Sequence, residues 1–291
     1  MKFSLHILSF LLITVLVSCT TTPKTINIPI IPIESSKHFD RVLLIVMENE
    51  DYSSVIADPY FKEIADQGVQ FTNFHAVAHP SYPNYMAMTG GETFGIRNDN
   101  QINIDQKSLG DLFNEKNLHW KNYAEGFPGK CYLEPTFKRY ARKHVPMISY
   151  KNVQTHPEEC SKIKSELDFQ KDWKANQLPE YSFFTPNMDD DGHDKPLSFA
   201  SHWLKKFLTP LLQDQERMQG TLIIVTFDEA MGDPTNQIYT AFIGPTIQPH
   251  TQSSTRATHY DVLRTIEDNF NLGTLMKNDS SANSIQEIWK K

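Results

Sequence analysis

The chain has 291 residues, enough for one large or two small domains with a sizeable core. Apolar residues make up 39% and charged residues 22%, as in ordinary soluble globular proteins. Lys and Arg number 28 against 35 Asp and Glu; the net charge of -7 argues against wholesale nucleic-acid binding and leaves small anions open to a local cation site.

Residues 1–19 read as an export signal. Lys2 is followed by an apolar stretch from Leu5 to Val17 that is too short to span a bilayer. The stretch ends in Leu16-Val17-Ser18-Cys19, the pattern of a bacterial lipoprotein signal with Cys19 lipidated; an ordinary cleaved signal with a chance cysteine is the other reading. Residues 20–38, with Pro23, Pro29 and Pro32, predict an extended tether. The chain is therefore expected to be exported and lipid-anchored to the bacterial cell envelope, periplasm-facing or on the cell surface. With Cys19 lipidated, Cys131 and Cys160 are left as a pair in an oxidising compartment and predict a disulfide.

A single domain is expected over 39–291. Arg41 to Met47 (RVLLIVM) predicts a strand buried on both faces of a parallel sheet. Asp58 and Pro59 open a helix with Phe61, Ile64 and Ala65 inward, stopped by Gly68. VQFTNFHAV predicts a second strand, Ser108 starts another helix, and LHWKNYA and YSFFT predict two more strands. Gly126 to Lys174 has weak periodicity and is expected as a loop-rich insertion. A long helix around Trp203, Phe207 and Leu211 precedes TLIIVTF and IYTAFI, and Tyr260 to Phe270 predicts a last amphipathic helix. Strands alternating with helices specify an α/β fold with a mainly parallel sheet.

Open α/β sheets bind ligands at the carboxyl ends of their strands. Here RVLLIVM runs into Glu48-Asn49, YSFFTPNM into Asp189-Asp190-Asp191-Gly192-His193-Asp194, and TLIIVTF into Asp228-Glu229. Three strands thus deliver hard oxygen ligands to one edge, the composition of a divalent-cation site, although any one acidic pair is equally a helix cap or a solvated turn. Within HAVAHPSYPNYMAMTGG, Ser81 lies between Pro80 and Pro83 at a predicted helix start. Alone it reads as an N-cap. Beside a metal, its hydroxyl becomes a nucleophile, because coordination lowers its pKa while helix N–H groups receive an anion. Asn84 is three residues further on and His259 opens the last helix, so both are expected to face the same edge.

These blocks, with ENEDYSSV, NQIYTAFIGP and HYDVLRTIEDNFNLG, resemble the phosphoesterase family of acid phosphatases and bacterial phospholipases C, within the alkaline phosphatase superfamily. The resemblance covers about Arg41 to Gly273 and implies an alkaline-phosphatase-like three-layer α/β/α sandwich. It implies that Glu48, Asn49, Asp228 and Glu229 hold metal with Ser81, that Ser81 is the nucleophile, and that Asn84 contacts phosphate. Asp191, His193 and His259 match positions that hold a second metal in two-metal relatives, or that bind phosphate and protonate the leaving group in one-metal relatives. His144 matches a phosphate-pocket position, with a buried structural histidine as the alternative. One or two divalent ions are expected, with zinc, calcium, magnesium and others all open.

The expected reaction is metal-dependent hydrolysis of small phosphate monoesters through a phosphoserine on Ser81. A phosphodiesterase or phospholipase C on the same site is the nearest alternative. A Ser/His/Asp carboxylesterase would want a G-x-S-x-G elbow, which the sequence lacks. A non-catalytic, cation-binding surface lipoprotein is the remaining alternative. The sequence sets no oligomeric state.

Overall fold

The computed structural model describes residues 38–290. The signal segment, Cys19 and all but the last residue of the tether lie outside the described residues. Among these, no helix is long and apolar enough to cross a membrane.

The apolar run Arg41–Met47 forms the middle of an eight-stranded sheet, between Tyr181–Thr185 and Thr221–Phe227, both parallel to it. Leu44 pairs with Phe183 on one side and Ile224 on the other. Trp120–Ala124 and Ile163–Ser165 extend the sheet in parallel beyond Tyr181–Thr185. On the other flank Thr240–Ile243 runs antiparallel, followed by Val69–Phe71 and Thr251–Ser253. Each residue of Tyr181–Thr185 and Thr221–Phe227 is buried, so both faces of the sheet are covered.

Two adjacent phenylalanines show what covers them, since successive strand side chains point to opposite faces. Phe183 packs 6.2 Å from Tyr85, on the helix Ser81–Gly90. Phe184 packs 4.6 Å from Phe207, on the helix Leu197–Gln213. The first helix belongs to a layer with Leu109–Glu115 and His259–Asn269, the second to a layer with Pro59–Gln67. The result is the three-layer α/β/α sandwich.

Local chemistry accounts for the helix ends. The Asp58 side chain accepts from Tyr60 N and Phe61 N to cap Pro59–Gln67. At its far end a Cβ on Gly68 would collide with the Phe242 carbonyl oxygen, so the chain needs glycine there. Capping boxes start Leu109–Glu115 (Ser108 and Asp111) and His259–Asn269 (Thr258 and Asp261).

Two elements differ from expectation. VQFTNFHAV breaks into Val69–Phe71, in the main sheet, and Phe74–His75, which pairs with Ala257–Thr258 in a small second sheet. Thr72 N bonds Ser253 O at the break and turns the chain between sheets. The Gly126 to Lys174 segment is not all loop. It supplies the edge strand Ile163–Ser165 and the helix Glu166–Lys174, which starts at a Ser165–Asp168 capping box. Cys131 and Cys160 are joined as a disulfide across 29 positions, with Cα atoms 5.6 Å apart.

Candidate active site

Backbone hydrogen bonds draw the three acidic strand ends together. Asp228 N donates to Met47 O (2.9 Å) and Glu48 N donates to Asp191 O (2.9 Å). Ser81, the first residue of its helix, points its hydroxyl into the gap between them. Ser81 Oγ lies 3.1 Å from Glu48 Oε2, 3.2 Å from Glu229 Oε1 and 3.4 Å from Asn49 Oδ1. Asn49 Nδ2 donates to Glu229 Oε1 at 2.8 Å, which leaves the Asn49 carbonyl oxygen turned toward the serine. Ser81, Glu48, Asp228 and Glu229 are all buried.

The electrostatics of this cluster are lopsided. Burial would raise the Glu48 carboxyl, but the His144 ring beside it wins and lowers it to about 2. Tyr85 Oη donates to Glu48 Oε1 at 2.6 Å, and His144 Nε2 lies 2.9 Å from the same oxygen. Burial, reinforced by the Glu48 charge, pushes Asp191 up to about 9 and Asp228 well above the usual carboxylate range. Glu229 is raised chiefly by burial, against the pull of His79, whose Nδ1 contacts Glu229 Oε2. Neither carboxylate oxygen of the buried Asp228 has a hydrogen-bond partner.

Orphaned, desolvated carboxylate oxygens next to an ionised Glu48 fit a hard divalent cation, which would supply the missing counter-charge. His, Cys, Asp and Glu side chains by themselves form no metal-holding group of three among the described residues. The convergence is centred on the serine oxygen, with the Asn49 amide oxygen as a further donor, and that mixed oxygen set is what fits.

The remaining expected residues separate into those at the mouth and those behind it. Asn84 directs its amide to the loop before Ser81. Asn84 Oδ1 accepts from Val77 N and Ala78 N (both 3.0 Å), while Nδ2 donates to Ala78 O (2.9 Å) and Pro80 O (3.3 Å). The side chain is saturated by the loop that delivers Ser81, and Asn236 braces the same loop through Ala78 O at 2.9 Å. His259 lies behind the acidic pair. Its ring is buried and Nε2 donates to the Asp228 backbone carbonyl at 2.8 Å. Burial lowers it to about 4, which favours the neutral ring beside Asp228.

His144, stacked on Tyr85 with centroids 5.2 Å apart, is buried and bridges Glu48 and Asp191. Asp191 Oδ1 accepts from His193 N at 2.9 Å, so it fixes the His193 backbone. The His193 ring is partly exposed and its Nδ1 lies 2.6 Å from Asp194 Oδ1.

Sequence reasoning passed over four participants. His79 was visible two positions before Ser81. Tyr85 was visible one helical turn after it, on the same face. Lys143 and Asp99 carried no local signal. Lys143 Nζ bonds Asp99 Oδ2 (2.7 Å), and Asp99 Oδ1 accepts from Tyr82 N (3.0 Å), so one N–H of the helix start is already occupied. Burial would lower the Lys143 ammonium, but Glu48 and Asp99 outweigh it and raise it above its usual range.

Comparisons with known proteins bear on the fold and the family. The fold resembles an alkaline phosphatase superfamily protein from Vibrio parahaemolyticus, with a TM-score of 0.59 at 12% identity, covering 83% of this chain and 70% of that one. In sequence, the chain is 37% identical over 266 residues to an acid phosphatase of Aspergillus fumigatus, covering 87% of this chain and 60% of the fungal protein. It is 32% identical over 240 residues to a phosphatidylinositol-3-phosphatase of Mycobacterium tuberculosis, covering 80% of this chain and 78% of that protein. The chain thus spans well under two thirds of the length of the fungal relative. Residues 45–273 match the Phosphoesterase family, and the chain belongs to that family.

Proposed function

We propose that this protein hydrolyses phosphate monoesters, with Ser81 as the nucleophile. The observation that carries the reading is the Ser81 hydroxyl held 3.1 to 3.4 Å from oxygens of Glu48, Glu229 and Asn49. The relatives named as an acid phosphatase and a phosphatidylinositol-3-phosphatase support the reaction class.

Ser81 Oγ gives its proton to the Glu229 carboxylate it bonds and attacks phosphorus. The ester P–O bond breaks, and the leaving oxygen takes a proton from the solvent side, where the partly exposed His79 and His193 rings stand. Attack of water on the phosphoserine then releases phosphate and restores the hydroxyl. Lys143 places a fixed positive charge beside the start of the Ser81 helix for the phosphoryl oxygens. A divalent cation held by Glu48, Asn49, Asp228 and Glu229 would lower the pKa of the Ser81 hydroxyl and screen phosphoryl charge. Asn84, His144 and His259 act through other groups, by fixing the Ser81 loop, Glu48 and the Asp228 backbone.

The test is hydrolysis of an aryl monophosphate and a bis-aryl phosphate by the purified protein, with and without chelator. The expected result is a monoester preference, loss of turnover on chelation with recovery on adding back divalent ion, and a fall of at least about 10^3-fold in Ser81→Ala. Undiminished turnover by Ser81→Ala would overturn the nucleophile assignment, and a diester preference would move the substrate class to phosphodiesters. Export and lipidation at Cys19 belong to the same proposal. Mass analysis of the mature chain is expected to find an acylated N-terminal cysteine, and Cys19→Ser is expected to move the protein out of the membrane fraction.

A further inference from the structure

A second concave site opens beside the carboxyl ends of Trp120–Ala124 and Tyr181–Thr185. Its volume of about 550 Å³ is that of a small-molecule pocket, and none of Glu48, Asn49, Ser81, Asp228 and Glu229 lines it. One wall is aromatic. Trp203 and Phe207 stack with centroids 4.8 Å apart at 12°, and Phe184 lies against Phe207 at 4.6 Å. Phe199, on the same helix, is 52% exposed at the rim.

The same cavity carries three acids, Glu125, Glu166 and Asp190, and the Trp203 side chain donates a hydrogen bond to Glu125. Each carboxylate is held by a neutral donor. Asn187 N donates to Glu125 Oε2 (3.1 Å), Gly126 N to Glu166 Oε2 (3.0 Å) and Asn187 Nδ2 to Asp190 Oδ2 (2.9 Å). Among the described residues, the ion pairs formed near these elements use other carboxylates. The lysines that, among the described residues, lie over aromatic rings cover Phe137, Trp120 and Tyr60, none of which lines this cavity. Phe207 is stacked between Trp203 and Phe169, so the ring surface open to a ligand is that of Trp203 and Phe199. Lys206 lines the rim as the sole lysine, against three acids. Burial pushes Glu125 up to about 7, with the Asp190 and Glu166 charges adding to the rise.

We propose that this cavity binds an alkylated ammonium group, supplied either by a free quaternary amine or by a choline-type lipid headgroup. A weakly hydrated organic cation loses little on leaving water, and it gains both from ring faces and from carboxylates. A hard metal ion would meet ring carbons as well, and an anion would meet three carboxylates. The proposal stands on residues apart from the phosphatase reading and does not depend on it.

The experiment is calorimetric titration of the full chain with tetramethylammonium chloride, against sodium chloride at equal ionic strength. The expected result is saturable one-site binding absent from the sodium control. Trp203→Leu is expected to weaken it at least tenfold, and Glu125→Gln and Phe199→Ala at least threefold. Phe199→Ala removes an exposed ring and keeps the test valid if Trp203→Leu fails to fold. Hydrolysis of an aryl monophosphate is expected to be unchanged in Glu125→Gln and Phe199→Ala. Titration with choline and with monomeric dihexanoyl-phosphatidylcholine separates the two sources: tighter binding of the lipid, lost in Phe199→Ala, assigns a headgroup, and equal binding assigns a free amine. Absence of saturable binding, or equal binding in wild type and all three variants, overturns the proposal.

Discussion

Glu48 illustrates how much of a site depends on what stands behind it. One of its oxygens faces Ser81, while the other is held by Tyr85 Oη and the His144 ring. Tyr85→Phe removes one hydrogen bond to a buried charge, an interaction worth about 2 kcal/mol. The variant is expected to lose roughly that much stability in denaturant unfolding and, because Glu48 is freed to turn, to lose about tenfold in kcat on an aryl monophosphate. Wild-type kcat in Tyr85→Phe would remove the tyrosine from the positioning machinery. At this scale the sequence was legible where chemistry is local. Glu48, Asn49, Asp228 and Glu229 follow apolar strands directly, so a strand-end rule finds them. It was illegible where a side chain's partners come from elsewhere in the chain. Asn84 has the right type and spacing for an anion contact, yet its amide is consumed by Val77, Ala78 and Pro80.

The helix His259–Asn269 shows what an element carries besides its packing face. Glu267 is buried with neither carboxyl oxygen hydrogen-bonded, beside the buried Asp279, which accepts from Leu275 N and Lys277 N. Burial first, then the Asp279 charge, pushes Glu267 up to about 9. Because the folded value lies above the unfolded one near 4.5, the folded state binds the extra proton between them. Stability therefore falls as pH rises from about 4.5 toward 9. Glu267→Gln is expected to raise Tm relative to wild type at pH 8, with the gap closing toward pH 5; a pH-independent difference would contradict this. The long elements were legible because burial on both faces forces unbroken apolar runs, as in Arg41–Met47 and Thr221–Phe227. The break in VQFTNFHAV was not, since it depends on Ser253, which is remote in sequence. Nor was the edge strand Ile163–Ser165, only three residues long and too short for a period.

Over the whole molecule, the disulfide Cys131–Cys160 ties the irregular region to the start of the edge strand. Closing a loop of 29 positions contributes about 3–4 kcal/mol by the chain-entropy estimate. The double variant Cys131→Ser with Cys160→Ser is expected to melt roughly 10 °C lower, and an unchanged Tm would show that the region is held by packing alone. The sandwich itself was legible from alternating strands and helices, but the sheet order was not, because pairing partners are set by crossovers that leave no local trace. One departure from parallel pairing has a further effect. Since Thr240–Ile243 runs antiparallel beside Thr221–Phe227, the twelve residues between them, Asp228 and Glu229 included, turn back at the rim of the candidate site with no crossover beneath the sheet. Asp51 Oδ1 holds the bend through Gly232 N and Asp233 N, and Met231 sits at its tip, 61% exposed. Lengthening this hairpin by two glycines after Met231 is expected to change KM for bulky esters several-fold while leaving Tm within a few degrees, so access can diversify here with the sheet untouched.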